Sequence, residues 1–187
     1  MGRVKQPLLI IAGILGGIIV LCLANVFGPH LTPFSATDSH YSDPKDVCAA
    51  VEVASIGQLG EVSRRRPEPL KFSTHPYQTC VLTLATGRTV TVAVDTSYTD
   101  KDVKAHYNVV HDGAGNDGSK VQNMDDLGDR AFVAYTLTDD QLVYLLAVLD
   151  GNLYLSIQLV CNPGPRPADV REQLRTVATE VMTALKG

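Results

Sequence analysis

A chain of 187 residues with 45% hydrophobic and 19% charged residues has the composition of a folded protein, and its length suits one domain plus an appendage. Asp and Glu number 20 against 16 Lys and Arg, a net charge of −4, and the longest basic run is the "RRR" at 64–66. That balance excludes nucleic acid as the expected partner.

Leu8 to Phe27 is an apolar run with no charged side chain, and Arg3 and Lys5 precede it with no acid before it. Twenty residues at helical rise span roughly 30 Å, the thickness of a bilayer core. The positive-inside rule then gives residues 1–7 as a cytoplasmic tail, 8–27 as a single transmembrane anchor, and the rest as extracytoplasmic. The run is longer than the apolar core of a cleaved signal. Leu21 stands before Cys22 where lipidation wants a small residue, so Cys22 is expected to stay uncut within the helix. Ala12 and Gly16, and likewise Gly13 and Gly17, are four apart, a spacing that lets membrane helices approach closely. This suits a homodimer or a partner helix, or only reflects how common glycine is in membrane helices.

Residues 28–43 are rich in Pro, Ser, Thr and His and read as a linker, leaving 44–187 as the extracytoplasmic domain. Asp43 and Pro44 make a good helix start, and "PKDVCAAVEVASIGQL" predicts a short helix to about Leu59. "RRRPEP" (64–69) reads as a loop. "TCVLTLATGRTVTVAVDT" (79–96) predicts a β-hairpin with an odd-length loop, pairing Leu84 with Val90, Leu82 with Val92 and Cys80 with Val94. Thr99 to Gly113 predicts a helix with Val103, Tyr107 and Val110 on one stripe, and 112–120 a loop.

Three strands follow, "RAFVAYTL", "QLVYLLAVL" and "NLYLSIQLVC". A turn at "TDDQ" pairs Leu137 with Leu142, and an Asp150-Gly151 turn pairs Leu149 with Asn152. Residues 167–186, beginning at Pro167, predict a helix with Val170, Leu174, Val177, Ala178, Val181, Met182 and Leu185 on its apolar stripe. The expected fold is α+β, an antiparallel sheet of about five strands with helices packed on one face, preceded by the transmembrane helix.

The registers put Phe132, Val143, Leu145 and Tyr154 on the sheet face opposite the main core. That face is either a docking or ligand surface, or is covered by the linker, the 113–126 loop or a helix. Cys48, Cys80 and Cys161 lie in the exported part, where disulfides persist. Cys48–Cys80 is the expected pair, tying the first helix to the first hairpin. Cys161 is left as a buried thiol or an intermolecular link. No close Cys/His spacing suggests a metal site, no HExxH, GxSxG or Walker pattern occurs, and no cofactor is expected. "GAGND" (113–117) resembles one unit of a calcium-binding repeat, a pattern otherwise missing.

The segments "DPKDVCAAV", "YQTCVLTL", "LGDRAF" and "NLYLSIQLVC", behind an anchor and a linker, give a layout that resembles actinobacterial cell-envelope lipoproteins of unknown function. It also resembles the related extracellular sensor domain of mycobacterial serine/threonine kinases. Those sensor domains carry a cysteine opposite the position of Cys161, where the expected register puts Asp140. The resemblance implies a non-enzymatic α+β binding domain with a groove. The expected function is a single-pass, membrane-anchored interaction protein, an accessory subunit of a membrane or envelope complex with a membrane-protein partner or a second copy. The alternative is a ligand-binding or sensory envelope module.

Overall fold

The computed structural model describes residues 41–44, 46–51, 56–68, 78–96, 100–138, 141–161 and 170–186. The chain divides into a unit Met1–Ala36, outside those residues, and a unit Thr37–Gly187. Among the described residues no helix is long and apolar enough to cross a membrane. The run 8–27, with Ala12, Gly13, Gly16, Gly17 and Cys22, lies outside them.

Period-two alternation dominates the middle of the chain, and it builds one antiparallel sheet. The strands are β1 (Val62–Pro67), β2 (Gln78–Leu84), β3 (Thr89–Asp95), β4 (Lys120–Met124), β5 (Arg130–Thr138), β6 (Gln141–Asp150) and β7 (Leu153–Cys161). Their order across the sheet is β1-β2-β3-β7-β6-β5-β4. The helices named among the described residues are α1 (Val47–Ala50), α2 (Asp100–Asn116) and α3 (Val170–Leu185).

Among the described residues the sheet has 7 strands rather than about five. The two additions are its edges, and both read as loops because an exposed edge needs no apolar alternation. β1 contains "RRRP" and is exposed from Ser63 onward. Its proline is tolerated at the rim: the next amide, Glu68 N–H, donates to Thr79 O at 2.9 Å, so the Pro67 nitrogen faces away from β2 and no ladder bond is lost. β4, "KVQNM", buries only Met124.

The hairpin faces follow the alternation, while two registers shift. β2 and β3 pair Cys80 with Val92 and Leu82 with Val90, two positions from expectation. The loop is odd, as expected, but tighter: Gly87 N–H donates to Leu84 O, Leu84 N–H to Arg88 O, and Gly87 takes a φ of 78°. β6 and β7 pair Asp150 with Leu153, so Gly151-Asn152 forms the turn, with Gly151 at a φ of 54°. The same shift places Leu142, not Asp140, opposite Cys161. A two-residue shift keeps every side chain on its face. β5 and β6 pair Leu137 with Leu142 and Tyr135 with Tyr144, as expected.

Helices cover both faces of the sheet, which corrects the one-face expectation. α1 and α3 pack on the face carrying Cys80, Leu82, Val90, Val92, Leu146, Leu155 and Ile157, and this is the main core. The predicted stripe of α3, from Val170 to Leu185, is buried there. α2 packs on the other face through Val103, Tyr107 and Ala114, against Phe132, Ala134, Ala147, Leu149 and Tyr154. The chain leaves β3 near the middle of the sheet and must reach β4 at its far edge. α2 makes that crossing, so it lies on the apolar strip between the two.

α1 is shorter than expected, and its N-cap is Asp46, whose side chain accepts from Cys48 N–H at 2.8 Å. Cys48 is joined to Cys80 by a disulfide. The Arg65 guanidinium donates to the carbonyls of Cys48 at 2.7 Å and Val51 at 2.9 Å, satisfying the carbonyls at the C-terminal end of that helix.

Candidate interaction face

Opposite residues in an antiparallel ladder share a face, so the registers map the α2 side of the sheet row by row. One row runs Thr79, Ala93, Ser156, Ala147, Phe132. The next runs Arg66, Val81, Thr91, Gln158, Leu145, Ala134, and a third Arg64, Thr83, Thr89, Val160, Val143, Thr136. α2 divides this face.

Under α2 the face is closed. Phe132 is 0% and Tyr154 3% exposed, so neither belongs to a docking surface. The reason is the stripe of Val103 and Tyr107, which finds its complement in the apolar strip of β5 to β7. The rings form a cluster. Tyr107 meets Phe132 edge-on at 5.6 Å, His111 meets Phe132 edge-on at 5.0 Å, and His106 lies over Tyr154 at 4.4 Å. The Arg130 guanidinium sits 4.8 Å from the centre of the Tyr107 ring. Burial holds His106 below the usual imidazole range. Burial also pushes the Tyr154 hydroxyl, hydrogen-bonded to Ser156, up to about 12. A neutral imidazole against a neutral phenol is a packed aromatic pair. Among the described residues, no group of three or more His, Cys, Asp or Glu is placed to hold a metal ion.

Beyond α2 no described element covers the same face. Val81, Thr83, Thr89, Thr91, Ser156, Val160, Val143, Leu145 and Thr136 are half-buried, and Gln158 is exposed. Val143 and Leu145 thus fall at the open part, with Leu145 also touching the α2 cluster. This stretch is uncharged and rich in β-branched side chains whose χ1 angles are stiff.

The "GAGND" segment forms the end of a helix: α2 continues through Asn116, where a loop was expected. Gly113, Gly115 and Gly118 spell G-x-G-x-x-G, but the motif closes a helix instead of linking a strand to a helix N-terminus, so it lacks the phosphate-binding context. Cys161 is a free, buried thiol whose pKa is raised by burial, a setting that suppresses thiolate chemistry.

A polar cluster that sequence reasoning missed lies at the β6–β7 turn. The Tyr41 hydroxyl donates to Asp150, Tyr41 N–H to Asn152 Oδ1 at 2.8 Å, and Asn152 Nδ2 to Tyr41 O at 3.0 Å. Lys186 lies 3.7 Å from Asp150, and Asp129 accepts from Gly151 N–H at 3.0 Å. Tyr41, expected in the linker, is 1% exposed. The one signal for it was an aromatic residue inside the polar stretch 37–43. No family model matches the chain, and no curated protein is similar to it in sequence.

Proposed function

We propose that this chain is a membrane-anchored, extracytoplasmic interaction protein, an accessory subunit of a membrane or cell-envelope complex. Its docking surface is the open half of the sheet face beside α2, and the occupant is the extracytoplasmic part of a membrane-protein partner. The carrying observation is the division of that face: one half is sealed by α2, while the other keeps Thr91, Val143, Leu145 and Val160 half-exposed on the seven-stranded sheet. An uncharged, β-branched surface loses little side-chain entropy when covered, which favours protein docking. The apolar run 8–27 behind Arg3 and Lys5 supports the anchor. The Cys48–Cys80 disulfide supports an oxidising compartment.

A second reading, a ligand-binding envelope module, draws on Thr79. Its hydroxyl is buried without a hydrogen-bond partner, in the row of Ala93 and Ser156. Such an orphan costs about 1–3 kcal/mol unless something meets it.

The test is extraction of the C-terminally tagged full chain from native membranes in mild detergent, with intact-mass analysis. The expected result is an uncleaved Met1–Gly187 mass and a membrane protein in fixed ratio that is lost in Val143→Arg. A lipid-modified chain beginning at Cys22 overturns the anchor. A bait that carries only a small molecule replaces this reading with the second.

A further inference from the structure

The open half of the face has a cationic border. Arg64 and Arg66 lie opposite Thr83 and Val81 and so share the face with Thr89, Thr91 and Gln158. Both arginines are exposed. Arg66 is paired with Glu68 of its own segment at 3.2 Å, with side chains 54% and 48% exposed. An exposed pair of this kind contributes about 0–1 kcal/mol and exchanges readily for a better carboxylate. Arg65 points to the other face, where its guanidinium is held by carbonyls and, among the described residues, by no carboxylate. Arg88 closes the adjoining β2–β3 turn. Glu61 and Glu68 are the acids flanking the strand, in a chain whose net charge is −4. From β1 to β6 the two open rows cross five strands, roughly 19 Å at ordinary strand spacing, and neither contains an acid.

We infer that the partner on this face presents an acidic protein surface, whose carboxylates meet Arg64 and Arg66 while its uncharged part lies on Thr89, Thr91, Gln158 and Val143. This rests on the docking reading above and adds the partner's chemistry. Two guanidinium groups two residues apart on one strand, about 7 Å, suit carboxylates repeated on a folded surface. An anionic lipid headgroup would use the arginines and leave the uncharged rows unexplained. β1 itself is a poor template for an added strand: its register is broken by a bulge between Val62 and Arg64, and Pro67 brings no N–H to the outer edge.

The test places a photo-crosslinker in the full chain in native membranes, by Thr91→p-benzoylphenylalanine and separately Val143→p-benzoylphenylalanine. Each is read in three backgrounds: no further change, Arg64→Glu/Arg66→Glu, and Lys101→Glu/Arg171→Glu, which carries the same charge change on exposed helix positions elsewhere. The expected result is a protein adduct that falls about tenfold with the β1 pair and with added salt, and is unchanged by the helix pair. Arg64→Gln/Arg66→Gln should give a smaller loss, and near-ultraviolet circular dichroism of the purified variants checks the fold. An adduct that survives charge reversal at β1 overturns the acidic partner and leaves the docking reading standing. Adducts to lipid alone overturn the inference in favour of a membrane-facing patch. No protein adduct from either position, with the fold intact, overturns the docking reading itself.

Discussion

At the scale of the residue, two kinds of glycine make opposite predictions. Gly128 has a φ of 62°, and a Cβ there would stand 2.7 Å from Leu149 O and 2.8 Å from Val148 Cγ1. Its neighbour Asp129 binds the β6–β7 turn from both ends, through its N–H to Leu149 O and its carboxylate to Gly151 N–H. Gly128→Ala should therefore cost about 1–3 kcal/mol in urea unfolding. Gly113 and Gly115 sit inside α2 with open space around a notional Cβ. Gly113→Ala and Gly115→Ala should each stabilise by about 0.5–1 kcal/mol in the same assay.

His106 predicts a pH dependence. Its native pKa lies below the ordinary 6.5 because burial disfavours the cation. As pH falls below about 6.5 the unfolded chain takes up the proton first, so stability is full above that pH and is lost down through the native value. The urea midpoint should fall between about pH 7 and pH 5, and His106→Gln should flatten that slope. At the alkaline end Tyr154, neutral in the fold up to about 12, withdraws stability as pH rises above the ordinary phenol value near 10.

At the scale of the element, α1 shows how a four-residue helix persists. Isolated helices of this length do not form in water. Here Asp46 caps one end, Arg65 binds carbonyls at the other, and the disulfide closes a separation of 32 residues to Cys80. Removing the bridge by Cys48→Ala/Cys80→Ala should cost about 3–4 kcal/mol by the chain-entropy account, measured by urea unfolding. Asp46→Ala should cost about 1 kcal/mol.

At the scale of the whole molecule, the first described residues are joined to the last. Tyr41 bridges Lys186 in sheet-like pairing, Ser42 N–H donates to Leu185 O, and the Tyr41 hydroxyl meets the buried Asp150. Burial and that carboxylate together hold the phenol well above its usual pKa, so it stays a donor. Tyr41→Phe keeps the shape and takes one donor from Asp150. It should cost about 1–3 kcal/mol, with Lys186 still 3.7 Å from the carboxylate.

Much of this architecture was legible in the residues. Strand alternation put Val90, Val92 and Val94 on the core face, and the apolar stripe of α3 named its buried positions. The same parity argument put both Cys80 and Cys161 on the core face, a placement that survives a two-residue register shift, and of the two it is Cys80, the expected partner, that bonds Cys48. The candidate face was half legible. Val143 and Leu145 lie where its open part begins, whereas Phe132 and Tyr154 are under α2. Sequence period tells which side chains share a face but not which element later crosses it. The rest belonged to the tertiary structure. Edge strands such as β1 carry no apolar rhythm, since one side of their ladder faces water. The Tyr41 clamp and the arginine border join residues distant in the chain, and only the folded sheet makes them neighbours.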